Sequence, residues 1–101
     1  TKIGRFSSID NCIMVGHDTW IGEGVIAAAN ITFGGWSEVK DNTFVGVQSC
    51  LAPKVVVGKN CKISMGAVVT KDVPDNSQVS GNFAIDHKIY IEHLKSILNA
   101  K

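Results

Sequence analysis

His17 is followed directly by Asp18, and this pair is the arrangement in the sequence whose chemistry is simplest to name. A neutral imidazole can accept a proton near pH 7. A carboxylate that accepts a hydrogen bond from the other ring nitrogen fixes the tautomer and stabilises the imidazolium. Such a pair can take the proton from a hydroxyl or amine that attacks a carbonyl carbon. An exposed His beside an Asp is also common as a solvated pair, so its meaning depends on the elements that position it.

The other nucleophilic and metal-ligating residues form no comparable group. Cys12, Cys50 and Cys61 show neither CxxC nor zinc-ligand spacing and have no histidine partner, so we expect no nucleophilic cysteine and no metal site. Free thiols are typical of a reducing compartment, which predicts a cytoplasmic protein. His87 and His93 lie in the C-terminal tail.

Length and composition exclude several classes of function. The 101 residues suffice for one small domain, and 10 Lys+Arg against 9 Asp+Glu give a net charge of +1. This charge gives no field that would collect nucleic acid. The longest apolar run, residues 25–29, is too short to span a bilayer, so neither a nucleic acid nor a membrane is an expected partner. Because the first residue is Thr1, we expect the sequence to be part of a longer chain.

A six-residue repeat organises most of the sequence. Each unit has an apolar residue, often followed by glycine, and a small or β-branched residue stands two positions earlier. The apolar positions are Ile3, Ile9, Val15, Ile21, Ala27, Phe33, Val39, Val45, Leu51, Val57, Ile63 and Val69. A period of six fits neither an α-helix nor an amphipathic strand.

This period predicts short straight segments joined by corners, with one aliphatic side chain filling each inward site. Three segments close a triangular coil, so residues 18 apart stack at the strand spacing of roughly 4.8 Å. Residues 3–73 would then form about four coils, each buried against its neighbours. Turn residues after 73 break the repeat, and apolar residues at helical spacing predict a helix over 86–99 with Asp86 as N-cap. We therefore expect a single domain with a repeat over 1–73 and a loop and helix over 74–101, the helix packing on the prism or on a neighbouring chain.

The repeat resembles the left-handed parallel β-helix of the hexapeptide-repeat acyltransferases, an all-β fold. His17 and Asp18, followed by Ile21-Gly22, resemble the nucleotide-sugar and sialic acid O-acetyltransferase type most closely. The pair is also similar to the His-Asp pair of the lipid A acyltransferases. This resemblance implies that His17 is the general base and that Asp18 orients it.

The resemblance continues in the same frame one, two and three coils after His17. Gly35 lies one coil on, where the family has a glycine whose N–H polarises the thioester carbonyl; a tight corner would also explain this glycine. Pro53 lies two coils on, and Lys71 belongs to a segment over 66–73 that resembles the closing G-A-x-V-x-K-D-V signature. Gly35 is therefore the expected oxyanion donor.

The resemblance also implies the donor, the assembly and the acceptor. Acetyl-CoA would lie in a groove between two prisms of a homotrimer, near Gly35 and against Val47 and Met65, with Gly66 and Ala67 beside them. Ordinary subunit packing is an equally good interpretation of Val47 and Met65. The acceptor would be a hydroxyl or amine of a sugar or nucleotide-sugar.

Two tryptophans offer an independent sign of assembly. Trp20 and Trp36 are expected to point outward, and large exposed aromatics favour association.

Two other functions remain open alternatives, and a third does not fit the histidines. Phe83 stands where the family has proline, and the helical tail leaves room for an acyltransferase that uses acyl carrier protein. A trimeric β-helix that serves only as a scaffold is a second alternative. The zinc-dependent carbonic anhydrases of this fold need two histidines on one coil and a third one coil away, whereas His17 is alone within the repeat.

Overall fold

The computed structural model describes residues 1–81 and 86–99. They form two-residue strands and one helix, in the order β1 (Lys2–Ile3), β2 (Ser8–Ile9), β3 (Met14–Val15), β4 (Trp20–Ile21), β5 (Ile26–Ala27), β6 (Thr32–Phe33), β7 (Glu38–Val39), β8 (Phe44–Val45), β9 (Cys50–Leu51), β10 (Val56–Val57), β11 (Lys62–Ile63), β12 (Val68–Val69), β13 (Gln78–Val79) and α1 (His87–Asn99).

The strands form three parallel sheets, which are the three faces of a triangular prism. Their orders are β1-β4-β7-β10, β13-β11-β8-β5-β2 and β12-β9-β6-β3, so each strand pairs with the third strand along the chain. Trp20 pairs with Glu38, and Met14 pairs with Thr32. Partners are therefore 18 residues apart, and the predicted coil of three segments is confirmed.

The interior contains two side chains from each repeat, whereas the sequence analysis predicted one. The second residue of each strand is buried from β4 to β12, and so is the residue two positions before it, as with Val25 at 0% exposure. Four of these earlier positions are polar, and the hydroxyls of Thr19, Thr43 and Ser49 donate to backbone carbonyls of the next coil, whereas Ser37 Oγ has no partner among the described residues. Thr43 Oγ1 donates to Gly58 O at 2.7 Å, and Ser49 Oγ donates to Ser64 O at 3.1 Å. A small hydroxyl fits the corner because it satisfies a carbonyl that the core would otherwise leave unpaired.

The corners depend on two backbone features, which occupy different positions of the six-residue repeat. Positive φ recurs at every sixth residue along most of the repeat, including Asp18 (56°) and Trp36 (64°). The glycines that follow the strands serve a different purpose. A Cβ at Gly34 would lie 2.5 Å from Pro53 N, so the next coil leaves no room for a side chain there.

The C-terminal part extends the sheet before the helix begins. β13 pairs with β11, so parallel pairing continues past residue 73 to Val79. Asp86 Oδ1 accepts hydrogen bonds from Lys88 N at 3.1 Å and Ile89 N at 3.4 Å, which confirms the predicted N-cap. Phe83, which stands where the family has proline, belongs to residues 82–85, outside the described residues.

Helix α1 does not pack on the prism. Within the described residues it contacts none of the strands, and Ile89, Leu94, Ile97 and Leu98 are exposed. Among the described residues, the expected packing of this helix on the prism of the same chain is therefore wrong, and packing on a neighbouring chain stays a prediction. No helix among residues 1–81 and 86–99 has the length and apolar character needed to cross a bilayer.

Candidate active site

One corner of the prism stacks the predicted catalytic residues in register. His17, Gly35, Pro53 and Lys71 each lie two residues after a strand of the β3-β6-β9-β12 sheet; we call this stack the His17 corner. Trp36 N donates to His17 O at 3.0 Å, and Lys54 N donates to Gly35 O at 3.0 Å. The spacing of one coil between His17 and Gly35 is thus present in the structure.

His17 and Asp18 form a side-chain pair at this corner. His17 Nδ1 lies 3.1 Å from Asp18 Oδ2, and the two side chains are 77% and 53% exposed. The left-handed backbone of Asp18 turns its carboxylate back toward the preceding ring, and aspartate is among the residues that tolerate this conformation. The pair has the geometry in which a carboxylate selects the tautomer with its proton on Nδ1.

The other ring nitrogen lies against Gly35. A Cβ built at Gly35 would be 3.2 Å from His17 Nε2, 3.4 Å from Cε1 and 3.5 Å from Cδ2, so the imidazole occupies the space that a side chain would take. Within the described residues, neither His17 Nε2 nor the N–H of Gly35 has a hydrogen-bond partner. A base and a backbone donor are therefore both free, on adjacent coils.

Val47 and Met65 lie on a different corner of the same prism. They follow β8 and β11, and Gly66 N donates to Val47 O at 2.8 Å, so the two stack one coil apart as predicted. They border an open groove of about 510 Å³, whose other lining residues are Ala28, Phe44, Gly46, Lys62, Ser64 and Gln78. Ala67 is only 2% exposed, and its side chain lies in the core.

The structure places the expected base and oxyanion donor on one corner of the prism and the residues expected to bind the acyl donor on another. His17, Asp18 and Gly35 follow the β3-β6-β9-β12 sheet, whereas Val47 and Met65 follow the β13-β11-β8-β5-β2 sheet. Within one chain the groove and the base face different directions.

The predicted outward positions of Trp20 and Trp36 are confirmed, and they reveal a feature that the sequence analysis missed. The side chains are 55% and 58% exposed. Together with Asp18, Ser37 and Glu38 they line a depression of about 320 Å³ beside His17. Glu38 could have been found from its spacing, because it stands 18 residues after Trp20 and pairs with it. In residues 1–81 and 86–99, no three His, Cys, Asp or Glu side chains are grouped to hold a metal ion.

Comparison with known proteins relates the chain to several acyltransferases, although no protein-family model matches it. It is 39% identical over 87 residues to the bifunctional protein GlmU of Bartonella bacilliformis, which covers 79% of this chain and 19% of that protein. It is 31% identical over 105 residues to serine acetyltransferase of Bacillus pumilus, covering 94% of this chain and 47% of the relative. A third relative is the acyl-(acyl-carrier-protein)–UDP-N-acetylglucosamine O-acyltransferase of Burkholderia orbicola, 30% identical over 95 residues and covering 94% of this chain and 36% of the relative. The chain spans less than half the length of each of these proteins.

Solved structures confirm the fold. Serine acetyltransferase isoform 3 of Entamoeba histolytica superposes with a TM-score of 0.74 at 18% identity, over 93% of this chain and 38% of that one. The serine acetyltransferase of Neisseria gonorrhoeae gives 0.63 at 23% identity, over 81% and 39%. The predicted left-handed parallel β-helix of about four coils is the fold they share with this chain. Repeat, fold and relatives agree that the chain belongs to the hexapeptide-repeat acyltransferase family.

Proposed function

We propose that the chain is the β-helix of an acetyltransferase that transfers an acetyl group from acetyl-CoA to a hydroxyl or amine of a sugar or nucleotide-sugar, as in the sialic acid O-acetyltransferase type. The observation that carries this proposal is the placement of His17, whose Nδ1 is hydrogen-bonded to Asp18 and whose Nε2, beside Gly35, has no partner among the described residues. An inert scaffold has no need for a base held in one tautomer next to an unused backbone donor.

The transfer follows from these groups without a covalent enzyme intermediate. His17 Nε2 takes the proton of the acceptor hydroxyl or amine as that atom attacks the thioester carbonyl carbon. The carbonyl oxygen becomes an oxyanion, and the N–H of Gly35 is the donor that stabilises it. The carbon–sulfur bond then breaks, and the imidazolium returns its proton to the departing thiolate. The products are the acetylated acceptor and free CoA, and His17 is neutral again.

The separation of the two corners supports a homotrimer with sites between subunits. Val47 and Met65 border an apolar groove, and Met65 is 60% exposed, so this face suits the pantetheine arm of the donor. The backbone of Gly66 and Ala67 would flank the same arm. His17 of a neighbouring prism would complete each site. A closed cyclic assembly would therefore form one complete site at every interface.

One observation favours acyl carrier protein as an alternative donor, and another favours an amino acid as an alternative acceptor. One relative acts with acyl carrier protein, and helix α1 offers an exposed apolar face beside the prism. Relatives in both comparisons are serine acetyltransferases, so the acceptor hydroxyl belongs to an amino acid in some of them. We place the protein in the cytoplasm, where acetyl-CoA would be available to it.

The proposal is tested by following CoA release by the full chain with acetyl-CoA and a panel of glucosamine, UDP-N-acetylglucosamine and L-serine. His17→Ala should lower turnover by about 10²–10⁴ and leave acetyl-CoA affinity and melting temperature nearly unchanged. His93→Ala is the matched control, because His93 is exposed on α1 and has no part in the site. A fully active His17→Ala variant would contradict the assignment of the base.

A further inference from the structure

The depression beside His17 is built differently from the rest of the prism surface. We call it the tryptophan depression: it holds about 320 Å³ and is lined by Asp18, Trp20, Trp36, Ser37 and Glu38. Two indoles and two carboxylates therefore share one small concave surface. Such a mixture of apolar and charged groups is typical of sites that bind small polar ligands.

The four larger side chains alternate across this surface. Trp36 lies one coil after Asp18, and its indole meets the His17 ring edge-on, with centroids 6.1 Å apart and planes at 89°. Trp20 and Glu38 are register partners on neighbouring strands β4 and β7. The indoles thus occupy one diagonal and the carboxylates the other, with the proposed base at the edge.

Trp36 stands at a position where the fold does not favour it. Its φ is 64°, in the left-handed region, where a bulky aromatic residue is strained. At the equivalent point of three other repeats the chain has asparagine (Asn30, Asn42 and Asn60), which accepts this conformation more readily, although Phe6, Gln48 and Lys54 also adopt it. The indole remains 58% exposed, so it gains little packing in return. Strained residues of this kind are concentrated at functional sites.

Glu38 supplies a second observation that points to a ligand. Glu38 is half-buried, yet its carboxylate has no hydrogen bond and no ion pair within the described part of the chain. Outside the depression, Lys2 Nζ lies 5.1 Å from the centre of the Trp20 ring, a distance at which an indole can interact with an ammonium group. The described lining includes neither lysine nor arginine, so the depression suits a cation and not a phosphate.

We propose that the tryptophan depression is the acceptor subsite and that it selects an amino-sugar. The inference rests on the proposed function, because it uses His17 as the base. The apolar face of the pyranose ring stacks on Trp36, and the ammonium group binds Glu38. A ring hydroxyl then lies toward His17 Nε2, so the acetyl group is transferred to oxygen. Any nucleotide attached to the sugar would lie outside the depression.

A fluorescence titration without acyl donor tests the subsite directly. Trp20→Phe leaves Trp36 as the one tryptophan of the chain, since the sequence has 2. D-Glucosamine at millimolar concentrations should change its emission saturably, and D-glucuronate, a pyranose of opposite charge, should bind at least about tenfold more weakly. Glu38→Gln in the same background should weaken glucosamine binding about tenfold. Equal affinity for the two sugars, or no binding of glucosamine, would overturn the proposal.

A matched pair of variants separates ligand binding from a structural role. Trp36→Asn should keep or raise the melting temperature, since asparagine accepts the left-handed backbone, and should raise the acceptor KM about tenfold at unchanged donor KM. Phe6→Asn removes an exposed aromatic with φ of 60° from another corner. It should keep or raise the melting temperature as Trp36→Asn does, but leave the acceptor KM unchanged. A lower melting temperature with unchanged acceptor KM in Trp36→Asn would show that Trp36 is only structural.

The two tests also distinguish this inference from the proposed function. Retained glucosamine binding with no acetyl transfer by any variant would contradict the proposed function and leave the subsite standing. Acetyl transfer to a sugar that Trp36→Asn does not impair would contradict the subsite and leave the proposed function standing.

Discussion

Adding one methyl group at Gly35 should disturb catalysis and spare the fold. The nearest atoms to a Cβ at this position all belong to the His17 ring, at 3.2–3.5 Å, and no backbone atom crowds it. The imidazole is exposed and must shift by a few tenths of an ångström. A misplacement of 1 Å costs about 100-fold, so this smaller shift should lower kcat about threefold to tenfold in Gly35→Ala.

The neighbouring Gly34 provides the control, because a methyl group there should lower the stability of the fold. A Cβ at Gly34 would lie 2.5 Å from Pro53 N and 2.8 Å from Leu51 O, which are backbone atoms held in the next coil. Such overpacking costs about 1–3 kcal/mol or more, and each kcal/mol lowers the melting temperature by about 4–8 °C in a domain of this size. Gly34→Ala should therefore melt about 5–20 °C lower.

Thermal unfolding by circular dichroism and steady-state kinetics of both variants provide the assay. Gly35→Ala should melt within about 2 °C of the unaltered chain, because its strain is relieved by one exposed ring. If Gly35→Ala retained full kcat, the position of the His17 ring against Gly35 would not contribute to catalysis. If it unfolded as Gly34→Ala does, the interpretation of Gly35 as a functional position would be wrong.

Two further predictions concern single side chains. Asp18→Asn keeps a residue that tolerates left-handed φ and removes the charge, so kcat should fall about tenfold at unchanged melting temperature; an unchanged kcat would remove Asp18 from the mechanism. Thr43→Val leaves the Cys61 N–H and Gly58 carbonyl without their side-chain partner and should cost about 1–3 kcal/mol in urea unfolding. Ser37→Ala is the control for this variant, since Ser37 Oγ has no partner among the described residues. Equal losses in the two variants would refute the assigned role of the Thr43 hydroxyl.

The repeat predicts most of the fold, because a period of six admits few architectures. It placed Gly35 one coil from His17 correctly, since stacking depends only on a separation of 18. The conformation of the corners was harder to predict. Left-handed φ occurs at residues as different as Phe6, Trp36 and Lys54, so composition does not mark these positions. The glycines that directly follow strands mark the close approach of coils, which is a different constraint.

The site residues and a groove between two prisms were expected from the resemblance, but the corner of the prism on which each residue lies was not. His17 and Val47 are 30 residues apart, which is not a multiple of 18, so the same phase already places them on different corners. Glu38 was missed because an acidic residue on a short strand resembles an ordinary solvated position. Its meaning comes from the side chains around it, which only the folded chain brings together.

Mixing two inactive variants tests most directly whether the site is shared between subunits. His17→Ala removes the base, and Met65→Glu places a charge in the apolar groove at an exposed position. A trimer mixed one to one should regain about a quarter of the original activity, because one interface in four joins an intact His17 to an intact groove. Mixed trimers that remain inactive, at the mass of the unaltered assembly, would contradict the shared site.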